Sequence, residues 1–221
     1  MPTQSILLKN ATFTTLHPPR LQLGDVRIAG GKILQIGTDL NAEPREEVVD
    51  LHAKLLLPGF VCAHTHLYSS LARGMPPATS PPLNFLEILQ KIWWRLDQAL
   101  DEESIYYSAL IGAIEAVQCG TTTLVDHHAS PNCIDGSLDI LQEALEKVGL
   151  RGVLCYEVTD RGGPEKRRAG LAENERFLKK QNSELVRGLV GAHASFTLED
   201  ETLAACADLA ARWNTGIHIH V

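Results

Sequence analysis

The residues with the clearest chemical potential in this 221-residue chain are imidazoles, and their spacing is informative. His64-Thr65-His66 ends an apolar run that reads as a strand. Side chains two apart on a strand share a face, about 6.6 Å apart at Cα for a rise of about 3.3 Å per residue. Two rings at that separation can converge on one cation. The motif is short, and a pair of ordinary buried or surface histidines accounts for it equally well. His218-Ile219-His220 repeats the pattern on a later strand and offers a third imidazole. Two such pairs on separate strands are hard to explain as packing, because an imidazole buried without a partner carries a desolvation cost. Ligand preferences therefore favour a metal site, with zinc and its neighbours as the natural ions.

Other groups lie between the pairs. A second strand ends in Asp126-His127-His128, where alternation lets only one of the two rings face inward. Asp126 is expected to orient a loop or a histidine, as carboxylates outside a ligand set do. His193, within Gly191-Ala192-His193-Ala194, either hydrogen-bonds a substrate group beside the ion or is a structural histidine with its own partner. Trp93-Trp94 and Tyr106-Tyr107 read as one aromatic cluster, expected in the core or at an oligomer contact. Arg73 follows the first strand on a long proline-containing loop, where it lines a pocket or is solvated.

The elements that must carry these residues fall into two blocks. Residues 6–8, 26–28 and 32–36 read as short strands, with Gly30-Gly31 supplying a hairpin turn, and 48–57 closes the block before Pro58-Gly59. Residues 1–57 are thus expected to belong to a small β domain. From Gly59 onward, strands at 60–66, 122–127, 151–158, 188–194 and 216–221 alternate with helices at 83–100, 102–118, 137–148, 165–181 and 200–213. That alternation predicts a parallel sheet, either an open doubly wound one or a closed eight-stranded barrel. No glycine-rich phosphate loop follows any of the strands, which removes support for the nucleotide-binding open sheet. Histidines at the C-terminal ends of strands match the place where (β/α) barrels assemble active sites.

Bulk properties narrow the function classes. A net charge of −7 and a pI near 5.7 argue against a nucleic-acid partner, whose binding is dominated by cationic contacts to phosphate. The five cysteines are odd in number and contain no C-x-x-C pair, so neither a disulfide framework nor a thiolate zinc knuckle is readable. With no signal segment in the first 16 residues and no membrane-length apolar run, a cytoplasmic protein acting on a small molecule is expected.

The run from Leu57 through Pro58-Gly59-Phe60-Val61-Cys62-Ala63 to His64-Thr65-His66 resembles the barrel entry of the amidohydrolase superfamily, in its cytosine deaminase, guanine deaminase and triazine hydrolase branch. The stretches 93–104 and 126–131 are similar to SsnA-type aminohydrolases, and the likeness covers essentially the whole chain. The resemblance implies an α/β fold: the N-terminal part of a (β/α)8 TIM-type barrel, with about five strands, over residues 58–221, and part of a small β-sandwich over residues 1–57. It implies one divalent ion, zinc or iron, held by His64, His66 and His220, with His193 on the substrate side; His127 is a further substrate-side candidate. His218 matches a variable position. No lysine lies in 188–194, which disfavours the carbamylated-lysine two-metal arrangement.

The resemblance also places an acid-base glutamate and aspartate beyond residue 221, so an incomplete and inactive barrel is the expectation for this chain taken alone. The implied reaction is hydrolytic deamination of an amino-substituted purine, pyrimidine or triazine. Removal of chloride, opening of a cyclic amide, or a noncatalytic metal-binding role are the alternatives. No membrane or nucleic-acid partner is expected, and the Trp93-Trp94 cluster makes a homodimer plausible.

Overall fold

The computed structural model describes residues 5–180 and 182–221. The chain divides into two compact units, Met1–Pro58 and Gly59–Val221. In the first, β1 (Ile6–Leu16) and β2 (Pro19–Ala29) form a long antiparallel hairpin. Next come β3 (Lys32–Gly37), β4 (Glu47–Asp50) and β5 (Leu55–Leu56). The sheet order is β3-β2-β1-β4, with β5 also paired to β1. Gly30 and Gly31 turn the second hairpin with φ of 59° and 70°.

The first two strands run well past the expected segments. Alternation in β1 breaks at a bulge between Leu8 and Ala11, where Asn10 adopts φ 55°. Buried Asp25 holds the bulge by accepting from the Asn10 N–H at 2.9 Å, the Leu40 N–H at 2.9 Å and the Lys9 ammonium at 2.6 Å. The expected 48–57 block is two strands, separated by a turn in which His52 and Ala53 take positive φ.

The second unit is a curled parallel sheet with helices outside it. Its strands are β6 (Phe60–Thr65), β7 (Thr121–His128), β8 (Arg151–Val158), β9 (Val186–Gly188), β10 (Val190–Ala194) and β11 (Ile217–His220). They are ordered β11-β10-β8-β7-β6, with β9 beside β8. After β6 come a 3-10 segment (Leu67–Ala72), α1 (Phe85–Ile88), a π-turn (Leu89–Trp93) and α2 (Trp94–Ala99). The four longer helices are α3 (Glu102–Gln118), α4 (Ser137–Val148), α5 (Gly163–Lys180) and α6 (Asp200–Arg212). The main apolar core lies between the sheet and α3–α4, where Ile105, Leu138, Leu141, Leu145 and Leu154 are fully enclosed.

Two expected helices differ from their predicted bounds. The 83–100 helix is interrupted by the π-turn, which inserts a residue into one turn and so escapes a 3.6-residue period. The helix expected over 165–181 begins at Gly163, and its last expected residue, Gln181, lies outside the described residues.

The strand expected over 188–194 is split because β8 pairs first with β9 and then with β10. Asn174, fully buried on α5, fills the join. Its carboxamide oxygen accepts from the Tyr156 N–H at 2.9 Å and the Gly191 N–H at 3.3 Å. Its nitrogen donates to the carbonyls of Tyr156 at 2.8 Å and Gly170 at 3.0 Å. Gly191 permits this approach, since a Cβ there would meet the Tyr156 oxygen at 2.2 Å. Asn174→Ala leaves several buried backbone groups unpaired, so it is expected to cost at least about 2 kcal/mol in urea unfolding. A change within error would show that water replaces the carboxamide.

Candidate metal centre

The curl of the sheet creates the centre. In a flat sheet, four steps of about 4.8 Å would separate β6 from β11 by roughly 19 Å. Instead His64 Nε2 lies 3.0 Å from His220 Nε2 and 3.1 Å from His66 Nε2. Ligand atoms of all three lie within 4.8 Å of one another.

The other ring nitrogens fix the tautomers. His66 Nδ1 sits 2.7 Å from the carbonyl of His127, and His220 Nδ1 sits 2.6 Å from the carbonyl of His193. A carbonyl only accepts, so both Nδ1 atoms carry the proton and both Nε2 lone pairs face the shared point. Burial holds His66 at a pKa of about 4, reinforced by the neighbouring imidazoles, so the ring is neutral near pH 7. Converging lone pairs repel unless a cation or proton sits among them. For metal–nitrogen bonds of about 2.05 Å, N···N is about 2.9 Å at 90° and about 3.3 Å at the tetrahedral angle. The separations of 3.0 and 3.1 Å fall inside that window, so the donor set fits a zinc-like ion with positions left open.

Supporting residues explain why these rings hold still. Asp126, fully buried, accepts the Leu67 N–H at 2.6 Å, pinning the backbone immediately after His66. Ser130 donates to the Cys133 carbonyl at 2.6 Å, so His128 Nε2–H must be the donor in its 2.9 Å contact with the same hydroxyl. His128 is therefore a structural, neutral ring, held at a pKa of about 3 by burial. The hydroxyl of Thr197 donates to the Ala194 carbonyl at 3.0 Å and accepts from His193 Nδ1–H at 2.7 Å. That leaves His193 Nε2 with a lone pair, and burial lowers the ring's pKa to about 3.

A cavity of about 330 Å³ opens above the three ligands, a volume typical of small-molecule sites. His193 lines it; His127 is fully buried and does not. Trp93 and Trp94 form its wall, with ring centroids 5.9 Å from His66 and 6.5 Å from His193 respectively. Trp93 and Tyr106 pack against the core as expected, but both tryptophans also line the cavity, and Tyr106 meets Tyr107 edge-on. Arg73 is exposed and pairs with exposed Glu115, which is the solvated alternative.

Sequence reading missed an acid pair. Glu157 at the end of β8 and Asp97 on α2 both line the cavity and share the Arg161 guanidinium, at 2.6 Å and 3.0 Å. Arg161 also lies over the Trp94 ring, 4.7 Å from its centre. Glu157 and Arg161 stand four apart just past a strand end, and Trp93, Trp94 and Asp97 fall within one helical turn. Those two spacings were the available signals.

The comparisons with known proteins agree with this architecture. The model of the Amidohydrolase family matches residues 55–221, and the chain belongs to that family. It is 34% identical, over its whole length and 49% of the relative's, to a 5'-deoxyadenosine deaminase of Methanobrevibacter smithii. It is 30% identical, over its whole length and 50% of the relative's, to a 5-methylthioadenosine/S-adenosylhomocysteine deaminase of Pyrococcus abyssi. The chain thus spans about half the length of the curated relatives it matches. Among solved structures, the atrazine chlorohydrolase of Arthrobacter aurescens TC1 complexed with zinc superposes with a TM-score of 0.78 at 21% identity, over 97% of this chain and 52% of that one. At that identity the likeness concerns the fold: a partial parallel barrel with a β domain. Among the described residues, no helix is long and apolar enough to cross a membrane.

The buried acids set a pH dependence. Burial pushes Asp126 up to about 7, against the pull of its Leu67 hydrogen bond, and Glu157 up to about 8, against the pull of Arg161. Above about pH 4, where the unfolded chain has lost these protons, the native state keeps that of Asp126 up to about pH 7 and that of Glu157 up to about pH 8. The linked stability is full below about pH 4, falls as pH rises from there, and is fully lost once pH has passed about 7 for Asp126 and about 8 for Glu157. The metal-free protein should lose unfolding free energy between about pH 4 and 8, and Glu157→Gln should make the loss shallower. An unchanged slope would mean that Glu157 is already ionised in the native state.

Proposed function

We propose that this chain supplies the metal-binding part of a hydrolase that deaminates an amino-substituted nitrogen heterocycle. The observation that carries the reading is the convergence of the His64, His66 and His220 lone pairs, two with their tautomers locked, on the floor of a tryptophan-walled cavity. These residues would hold a divalent ion, zinc by the chemistry of the donor set and in keeping with the zinc-bound relative of the same fold. Such an ion lowers the pKa of water toward neutrality and so supplies a nucleophile for an amino-bearing ring carbon.

This chain's own residues do the positioning. Trp93 and Trp94 offer flat apolar faces to a planar heterocycle and exclude water from it. His193 Nε2, left unprotonated by its hydrogen bond to Thr197, can accept from a ring or exocyclic N–H. The relatives acting on 5'-deoxyadenosine and 5-methylthioadenosine make an adenine nucleoside the first substrate to try. His127, outside the cavity, is better explained as part of the scaffold, its carbonyl holding His66. The cytoplasm remains the proposed compartment.

Ammonia release from purine nucleosides, pyrimidines and triazines, assayed on the whole protein rather than on this chain alone, tests the reaction. Protein purified without chelators should carry stoichiometric transition metal, and His66→Asn should abolish both metal content and turnover. His193→Ala should retain the metal while lowering kcat/KM by about 10²-fold or more. Protein without bound metal, or metal content indifferent to His64 and His66, would overturn the reading.

A further inference from the structure

Beneath the three converging rings lies a second set of donors that the deaminase reading leaves unused. Cys155 of β8 is fully buried, and its Sγ lies 3.9 Å from His127 Nδ1 and 4.0 Å from His218 Nδ1. Ligand atoms of these three residues fall within 4.8 Å of one another. His127, on the neighbouring strand β7, is also fully buried; its Nε2 has no hydrogen-bond partner and lies 3.9 Å from Glu157 Oε2, which leaves Nδ1 facing the thiol. His218 is half-buried on β11. We propose that His127, Cys155 and His218 form a second cation site, for a borderline or soft transition-metal ion such as zinc, cobalt(II) or cadmium.

The geometry supports coordination more than ordinary hydrogen bonding. At 3.9 and 4.0 Å both nitrogen–sulfur contacts are long for a thiol donor, and the thiol has the Asp126 carbonyl at 3.5 Å as a rival acceptor. With metal–sulfur and metal–nitrogen bonds of about 2.3 and 2.05 Å, S···N is about 3.6 Å at the tetrahedral angle and about 3.8 Å in a trigonal plane. Contraction by a few tenths of an ångström suffices, in the direction a bound ion would draw the side chains. One thiolate with two imidazoles disfavours magnesium and calcium, which take oxygen ligands. Binding converts the Cys155 thiol to a metal-bound thiolate and releases one proton to solvent, so affinity should rise with pH.

This set is distinct from the first in every ligand, though the two adjoin. The His127 ring centre is 4.5 Å from that of His220, and His218 is 5.4 Å from His64. Like charge at that range predicts a weaker second equivalent once the first ion is in place.

Cobalt(II) titration of the metal-free protein tests the proposal, because a cobalt–thiolate bond adds a near-ultraviolet charge-transfer band that a purely imidazole site lacks. The expected result is that band in the wild type, its loss in Cys155→Ser, and its survival in His64→Asn, which cripples only the first site. His218→Asn, at a half-buried position, should weaken the band-forming equivalent by about tenfold or more. Absence of the band in the wild type, or its persistence in Cys155→Ser, would overturn the proposal. Because the readout is a thiolate signal, failure of the three-histidine centre leaves a different signature.

Discussion

The candidate centre depends on hydrogen bonds that tie two of its three imidazoles to the backbone of the neighbouring strand. His66, just past β6, donates to a carbonyl of β7, and His220 of β11 donates to a carbonyl of β10. In each case the acceptor strand is the one paired with the strand that presents the ligand. Ring orientation, tautomer and lone-pair direction are therefore consequences of sheet register. A register slip would move ligand and acceptor to opposite faces together and dissolve the site.

The rest of the second unit maintains that register and its curvature. Asp126 fastens the turn after His66, and Asn174 bridges the join where β8 passes from β9 to β10. Both are buried polar side chains whose worth lies in satisfied partners, since an unmade hydrogen bond in such a setting costs more than a made one contributes. Helix α4 illustrates the same point: its N-cap residue is Gly136, which has no side chain to cap the first turn. Glu173 of α5 accepts the Gly136 N–H at 3.1 Å and the Leu138 N–H at 3.0 Å.

Around the cavity, apolar walls and buried charge act in opposition. Two tryptophans and the fold of the sheet exclude water, which raises the cost of ionising Glu157 and Asp97. The Arg161 guanidinium offsets part of that cost for two carboxylates at once, and stacks on Trp94. One cation serving two acids leaves a proton-holding group beside the candidate substrate space, an arrangement common where proton transfer is needed.

Much of this was legible in the chain itself. Strand-end histidines at a spacing of two, alternating strands and helices, and the missing phosphate loop pointed to a parallel barrel with a candidate metal-ligand set at its mouth, because these signals are local and periodic. Boundaries failed where periodicity was interrupted by a tertiary partner: the Asp25-held bulge at Asn10, the π-turn before Trp94, and the Asn174 join at Gly191. The roles of Trp93, Trp94, Glu157 and Arg161 needed the folded chain, since a cavity wall or an ion pair between segments more than sixty residues apart leaves no trace in local spacing. Residue types limited which chemistry was available; the curl of the sheet decided which of them meet, because only closure in space can bring β6 and β11 within reach of one ion.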